Sequence, residues 1–251
     1  MMKAHVKLTV SESKRLIAKG VAALPAVRAA IQSGMVALGT GSTNSYVYEE
    51  LLGVRIDRAA YRSGVILPTG KSVRDYTHAP GDVLPDLILR DGQPAPGLDR
   101  FKAILEMKRG DVFIKGANAL SADRRLAAVL IGAENGGTVG GTLGHILGKG
   151  ITLVVPVGLE KMVGDDLVES ARALLEPDAP GPRLAVLAGA TVVTEIEALE
   201  ALAGVRVREI AAGGVGGAEG GVWLLVEGDD AAVKKALALA DQVHGEAPWL
   251  S

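Results

Sequence analysis

Short apolar runs that each end in a polar, glycine-containing turn constrain the fold of this chain more than any other feature. The runs cover residues 35–38, 86–90, 111–115, 127–131 and 151–157. Because helical patterns separate most of them, the sequence predicts an α/β fold with a Rossmann-like, mainly parallel sheet and helices on both faces. The carboxyl ends of parallel strands share one edge of a sheet. We therefore expect the turns after these runs to converge there around a ligand.

The turn after the first run has the residues of an anion site. It consists of Gly39, Thr40, Gly41, Ser42, Thr43 and Asn44. Its glycines lack the Cβ atoms that would keep a ligand from the backbone, and the hydroxyl and amide side chains can cap the helix that continues to Leu52. Free N–H groups and the positive end of a helix dipole suit a phosphate. The sequence therefore predicts a phosphate site in these six residues.

Three charged residues follow other runs and are the candidate catalytic groups. Lys115 ends an apolar strand, where it would neutralise a bound anion, or would simply extend its stem to water. Asp91 would be a general base or a turn-forming residue before Gly92. Glu134 would be a nucleophile or base on a glycine-flanked turn, or would favour the start of the next helix.

Four further residues are candidate substrate contacts. Gly116 and Asn118 follow Lys115 directly, whereas Lys71 and Arg74 belong to a polar segment, residues 69–85, that has no period. Loops carry ligand contacts more often than their share of the chain. The alternative is that the segment is only a solvated connection.

Composition excludes several classes of function. The chain has 27 basic and 29 acidic residues and 3% aromatic residues, so it lacks the basic patch of a nucleic-acid-binding protein. It has no cysteine, and its four histidines have no metal-ligand spacing, so we expect no metal and no cofactor. Neither a signal peptide nor a membrane span is predicted. We expect a cytoplasmic protein whose partner is a small anionic metabolite, with a homo-oligomer left open.

The remaining patterns divide the chain in two. Thr9 and Glu12 form a capping box for a first helix, which Pro25 interrupts. A Pro-rich linker at 177–182 separates a ligand-binding domain, residues 1–176, from a small ferredoxin-like α+β domain, residues 183–251. The further predicted elements are strands 64–68, 184–193, 205–210 and 222–227 and helices 98–109, 165–175, 195–203 and 230–243. The glycine-rich turn 213–221 is predicted as a hairpin tip, with a lid as the alternative.

The segment Leu38-Gly39-Thr40-Gly41-Ser42-Thr43 resembles the phosphate loop of type A ribose-5-phosphate isomerases. It is also similar to loops of the superfamily that includes glucosamine-6-phosphate deaminase and family I CoA-transferases, and the order of parts is similar over roughly residues 10–160. The resemblance implies a sugar-phosphate ligand. The chain departs from the isomerase pattern at Asp91-Gly92-Gln93-Pro94, where the family has Asp-Gly-Ala-Asp. It departs again at Asp123-Arg124-Arg125, where the family has a catalytic glutamate.

A second motif, Ala133-Glu134-Asn135-Gly136, resembles the Ser-Glu-Asn-Gly of family I CoA-transferases, which implies Glu134 as the nucleophile that forms an acyl-CoA thioester. Three hypotheses follow from the sequence. The chain binds a phosphorylated metabolite and is an isomerase-like enzyme, it transfers acyl or CoA groups through Glu134, or it is a non-catalytic sensor or structural module.

Overall fold

The structure, a computed structural model, describes residues 1–71, 83–123 and 125–249. In these residues the chain is a mixed α/β protein with eight α-helices. The strands are β1 (Met2–Leu8), β2 (Met35–Leu38), β3 (Leu87–Arg90), β4 (Gln93–Pro94), β5 (Val112–Ile114), β6 (Ala119–Ser121), β7 (Leu126–Ile131), β8 (Thr152–Pro156), β9 (Arg183–Val186), β10 (Thr191–Val193), β11 (Arg206–Gly213) and β12 (Gly221–Gly228). The helices are α1 (Val10–Ala23), α2 (Pro25–Ser33), α3 (Ser42–Leu52), α4 (Arg100–Glu106), α5 (Gly137–Lys149), α6 (Leu167–Ala173), α7 (Glu195–Ala203) and α8 (Asp230–Val243).

The largest sheet of the described chain has six strands in the order β10-β8-β5-β2-β3-β4. The first four are mutually parallel, whereas β3 is antiparallel to β2 and β4 is antiparallel to β3. Strand β2 is buried on both faces. The predicted α/β fold with a parallel centre to its sheet is thus confirmed, with an antiparallel edge that the sequence pattern did not indicate.

Helix α1 begins at the capping box that the sequence predicted, and most of its side chains are buried. Thr9 and Glu12 form the predicted capping box, in which the Glu12 N–H donates to Thr9 Oγ1 and the Thr9 N–H donates to Glu12 Oε2. Leu16 and Ile17 are fully buried, and even Lys14 is 8% exposed. The predicted interruption at Pro25 is confirmed, and Pro25 itself begins α2, because proline is tolerated in a first turn but not inside a helix.

Strand β1 was not predicted, and it pairs antiparallel with β12 along its whole length. Its side chains become alternately more exposed and more buried from Met2 to Leu8, the period of a half-buried strand. Strand β11 completes this three-stranded sheet, so the glycine-rich turn 213–221 connects an antiparallel pair and the predicted hairpin tip is confirmed.

Two predicted strands are wrong. Residues 64–68 form no strand, and Ile66 is 76% exposed. The run 184–193 forms two strands, because Gly189 adopts a φ of 77° and turns the chain between them. The first half, β9, pairs with β7 in a three-stranded antiparallel sheet, whereas the second half, β10, joins the largest sheet beside β8.

Helices α7 and α8 have their predicted bounds, and Asp229 caps α8 through its carboxylate, which accepts from the Ala232 N–H.

Elements on both sides of the predicted linker share sheets, since β12 pairs with β1 and β10 pairs with β8. The division into domains 1–176 and 183–251 stays a prediction. None of the helices in the described residues is long and apolar enough to cross a bilayer.

A buried ionic cluster ties residues 244–249 to the first helices. Arg15 of α1 pairs with Glu49 of α3 and with Glu246, and Arg58 pairs with the same two carboxylates. The Glu246 side chain is 7% exposed. Burial alone would raise the pKa of Glu246, but hydrogen bonds and charge from the arginines outweigh it and lower the pKa to about 2.

We predict that Gly20→Ala destabilises the protein. A Cβ at Gly20 would lie 2.6 Å from Ala198 Cβ and 2.8 Å from Ala198 Cα, so α1 and α7 would have to separate. We expect the free energy of unfolding to fall by about 1–3 kcal/mol in denaturant titrations. The control is Gly144→Ala in α5, where a Cβ meets no atom within 4 Å and where alanine should add roughly 0.5–1 kcal/mol. Equal effects of the two substitutions would contradict the close packing.

The ionic cluster predicts a pH dependence. Because the pKa of Glu246 falls from 4.5 to about 2 on folding, its stabilisation is complete above pH 4.5 and is lost as the pH falls towards 2. The groups that face it are Arg15, Arg55 and Arg58, beside Glu49. Glu246→Gln should therefore be less stable than the parent at pH 7, and the difference should shrink between pH 4.5 and 2. In thermal unfolding, Glu176→Gln, which changes an exposed carboxylate, should lack this trend.

Candidate functional site

A cavity of about 510 Å³ lies at the end of β2 and β5, where the chain passes from the parallel strands into turns. Five separate segments and three single residues form its described wall. The wall consists of Lys14, residues 41–43, 63–67, 115–118, 129–133 and 136–139, Lys161 and Trp249. Turns distant in sequence therefore meet at one cavity, although β7 belongs to another sheet than β2 and β5.

The predicted phosphate turn forms one side of this cavity. Gly41, Ser42 and Thr43 line it. The other three predicted residues lie behind them and hold the turn: the Gly39 N–H donates to Ile114 O at 3.1 Å, and Asn44 Nδ2 donates to Gly39 O at 2.7 Å. Thr40, the third, is buried and bonded on both its backbone and its side chain.

The start of α3 faces the cavity without a side-chain cap, so the predicted capping by Ser42, Thr43 or Asn44 is wrong. Gly41 occupies the cap position in an extended conformation, and it has no side-chain oxygen to offer. The N–H groups of a first helical turn have no acceptor within the helix. Thr43 Oγ1 and Asn44 Oδ1 are also buried without a hydrogen-bond partner. The N–H groups and the Thr43 hydroxyl can together bind an anion, whereas Asn44 Oδ1 is an amide oxygen and only accepts hydrogen bonds.

A second helix begins at the same cavity. Gly136 to Val139, the start of α5, line it, and α5 also lacks a side-chain cap bond from its cap residue Gly136. Gly136 has a φ of 78°, a conformation that favours glycine. One N–H of this turn, that of Gly137, already donates to Asn135 Oδ1. The positive ends of two helix dipoles thus act on one cavity.

Three lysines line the cavity, and its described wall contains no carboxylate. Lys14 comes from α1, Lys115 follows β5, and Lys161 follows β8. Lys115 Nζ donates to Gly116 O at 3.1 Å and Lys161 Nζ donates to Ala117 O at 2.7 Å. Backbone carbonyls carry no full charge, so these two bonds do not neutralise the ammonium groups. The carboxylates that attract them, Asp86 for Lys115 and Glu160 for Lys161, are not among the described residues of the wall.

Burial lowers the pKa of all three lysines. For Lys115, burial is the largest cause, the positive charges of Arg100 and Lys161 act in the same direction, and the pKa falls to about 8. For Lys14, burial outweighs the attraction of Glu160 and Glu195. An anion in the cavity would reverse these shifts, because it favours the charged ammonium form.

Sequence analysis missed two residues that hold the site together, Asp86 and Arg100. Asp86 accepts from Arg100 Nε at 2.7 Å, from the Arg100 N–H at 3.0 Å and from the Thr40 N–H at 3.3 Å. Arg100 also donates to Thr40 Oγ1 and Thr138 Oγ1. It thus connects the turn before α3 with the start of α5. Asp86 precedes an apolar run, and only the antiparallel direction of β3 carries it to this edge.

The same antiparallel direction removes Asp91 from the site. Asp91 follows β3 at the far end of the sheet, where its N–H donates to Gly34 O, just before the start of β2. Asp91 has a φ of 48° and Gly92 a φ of 76°, and together they form the tight turn between β3 and β4. The predicted convergence of Asp91 with the phosphate turn is therefore wrong, and the turn-forming interpretation is confirmed.

The other predicted residues divide into lining and non-lining groups. Gly116 and Asn118 line the cavity, but the Asn118 side chain already donates to Gly64 O and accepts from the Leu130 N–H. Glu134 is exposed and is not part of the cavity wall, although its neighbour Ala133 is. Lys71 is exposed and also lies outside the wall. Arg74 falls outside the described residues.

The chain has no match in three comparisons, with protein-family models, with curated proteins and with solved structures. Its candidate function is therefore argued from the cavity alone. Among the described residues no group of histidines and carboxylates could hold a metal ion. What the wall offers is N–H donors, hydroxyls and ammonium groups, which are the chemistry of oxyanion binding.

The position of Lys115 predicts a titration near neutral pH. Because burial lowers its pKa to about 8, one lysine resonance of the ¹³C-methylated protein should titrate with a midpoint near 8. That resonance should be absent from Lys115→Met and present in Lys102→Met, which removes an exposed lysine of α4. A spectrum of Lys115→Met that retains the resonance would contradict the assignment. Inorganic phosphate should shift the midpoint upwards, since an anion stabilises the charged form.

Proposed function

We propose that this chain binds a phosphorylated small metabolite, and that a sugar phosphate is the ligand class. The observation that carries the proposal is the cavity wall. It combines the uncapped start of α3, the buried and unpartnered Oγ1 of Thr43, and three lysines, with no carboxylate in its described part. A phosphate monoester carries nearly two negative charges at neutral pH, and it can accept hydrogen bonds from all of these groups.

The phosphate is proposed to lie at the start of α3. There it accepts from the N–H groups of Ser42, Thr43 and Asn44 and from the Thr43 hydroxyl. Lys115 follows the neighbouring parallel strand, and it supplies a positive charge on the same edge of the sheet. Lys14 and Lys161 extend the positive region across the cavity. The ligand's charge offsets the cost of burying these ammonium groups, which is why the site favours a charged ligand over a neutral sugar.

The proposal includes membership of the superfamily of ribose-5-phosphate isomerase and glucosamine-6-phosphate deaminase. It is supported by the strand, glycine turn and helix at residues 35–52 and by the parallel centre of the sheet. Superfamily membership would bring four further properties, which we also propose. They are a Rossmann-like core with helices on both faces, a ferredoxin-like C-terminal unit, a cytoplasmic location and self-association.

An isomerase-like reaction is the proposed extension. Proton transfer between two carbon atoms of a sugar needs a base within reach, and Asp91 and Glu134 are outside the cavity wall. Lys115 is the group with a suitable pKa, about 8, and its neutral form is available near neutral pH. Lys14 and Lys161 would then hold the ligand's charge. Binding without turnover would instead favour a metabolite sensor, and a thioester on Glu134 would favour CoA transfer.

Replacement of Lys115 tests the binding proposal. In calorimetric titrations with ribose 5-phosphate, Lys115→Met should bind at least about tenfold more weakly than the parent, because a charge-assisted hydrogen bond contributes roughly 1.5–3 kcal/mol. Lys102→Met, which changes an exposed lysine outside the cavity wall, is the matched control and should bind as the parent does. Undiminished binding by Lys115→Met, or no binding of ribose 5-phosphate by the parent, would overturn the proposal. Detection of the ketose product in the same samples tests turnover.

A further inference from the structure

We infer that Trp249 is a ligand-contact residue that stacks on the planar base of a nucleotide, whose phosphate lies at the start of α3. This inference rests on the proposed phosphate site and narrows its ligand from a sugar phosphate to a ribose phosphate that carries a base, a nucleoside monophosphate. Because the glycosidic bond blocks C1 of the ribose, the inference goes with the binding proposal and not with the isomerase-like extension. Three observations carry it: the place of Trp249 in the cavity wall, the anchoring of the segment that bears it, and the size and apolar character of the cavity beyond the phosphate turn.

Trp249 lies beside the phosphate turn. It lines the cavity together with Ser42 and Thr43, and its indole Nε1 donates to Ser45 Oγ at 3.3 Å. Ser45 belongs to the first turn of α3. The hydrogen bond holds the indole within one helical turn of the proposed phosphate, a distance that the ribose of a nucleotide can bridge. The aromatic ring is the only one among the described residues of this wall.

Buried ion pairs fix the segment that carries Trp249. Glu246, three residues earlier, pairs with Arg15, Arg55 and Arg58. The Arg15 and Arg58 side chains are 5% and 10% exposed, so their two pairs are well shielded from water, whereas the Arg55 side chain is 69% exposed. The Gly245 N–H donates to Glu12 Oε1 at 2.8 Å and adds a further tie to α1. Such anchoring gives the indole a defined place before any ligand arrives, which lowers the entropic cost of binding.

The cavity suits a ligand larger than a pentose phosphate. Its volume of about 510 Å³ is within the range of about 300–1,000 Å³ that encloses drug-sized ligands. Apart from the lysines and the glycine turns, much of the wall is apolar, since residues 65–67 and 129–131 are among those that line it. A sugar phosphate offers hydroxyl groups to this part of the wall, whereas a base offers a flat, apolar face. The apolar wall and the indole therefore favour the base.

Intrinsic fluorescence can report the stacking, because the chain has two tryptophans and the other is remote. Trp223 lies on β12, where it contacts His5 and Lys7, and it is not part of the cavity wall. In a Trp223→Phe background, Trp249 is the single emitter. The ligands to compare are adenosine 5′-monophosphate, ribose 5-phosphate and inorganic phosphate, with Kd values from calorimetry for the parent, Trp249→Ala and Trp249→Phe.

We expect adenosine 5′-monophosphate to quench Trp249 and to bind at least about tenfold more tightly than ribose 5-phosphate, the advantage that stacking on an aromatic ring gives. Trp249→Ala should remove that advantage, so that the two ligands bind with similar affinity, and a cooperative thermal unfolding transition checks that this variant is folded. Trp249→Phe should keep most of the affinity advantage of adenosine 5′-monophosphate, because phenylalanine can also stack on the base.

Equal affinities for the two ligands, or a nucleotide advantage that survives in Trp249→Ala, would overturn the inference and leave the proposed function intact. Failure of all three phosphate ligands to bind the parent would overturn the proposed function as well.

Discussion

The contact between Asp86 and Arg100 determines the geometry of the candidate site, because it joins the edge where β2 pairs with β3 to the starts of α4 and α5, which no strand pairing brings there. Asp86 precedes β3 and Arg100 begins α4, and their ion pair also binds the Thr40 N–H. From there the guanidinium reaches Thr138 at the start of α5. The side chains of Arg100 and Asp86 are 16% and 4% exposed, so water competes little for these bonds. Arg100 donates to the same Asp86 oxygen from its Nε and from its backbone N–H, and such charge-assisted bonds fix orientation as well as distance. The two helix starts therefore face one cavity in a defined arrangement.

Burial of three ammonium groups in the cavity wall is unfavourable, and the surrounding carboxylates offset only part of this free energy. Lys14 and Lys161 are attracted by Glu160, whose two carboxylate oxygens are buried without hydrogen-bond partners. Glu195 is fully buried nearby, and burial together with the charge of Glu160 raises its pKa to about 7. With a raised pKa, Glu195 is only partly ionised at neutral pH. The two carboxylates therefore do not fully neutralise the lysines that they attract. Lys115 has even less compensation, since its ammonium bonds only to a carbonyl. An anion in the cavity would stabilise the charged forms of all three lysines together, which links the electrostatics of the fold to the proposed ligand.

The sequence predicted those features that short segments determine by themselves. The capping box at Thr9, the buried strand before Gly39 and the bounds of α7 and α8 follow from local hydrogen bonding and periodicity. Strand direction has no such local signal, so Asp91 was placed at the site and Asp86 was overlooked. The alternation from Met2 to Leu8 was a usable signal for β1, whereas the lysines at 14 and 161 had none, because only the packing of α1 against the sheet brings them together.

Two successive cations of α1, Lys14 and Arg15, point in different directions, and they connect the cavity to the segment 244–249 that bears Trp249. Lys14 lines the cavity, while Arg15, the next residue, pairs with Glu49 and Glu246. Successive residues on a helix point about 100° apart, so one buried turn can serve both places. The enclosed position of α1 then has a physical reason beyond packing. Its rigid backbone fixes the distance between an ammonium group on one side of the cavity and the ionic cluster that positions Trp249 on another. Loss of either cation would disturb a different part of the same wall.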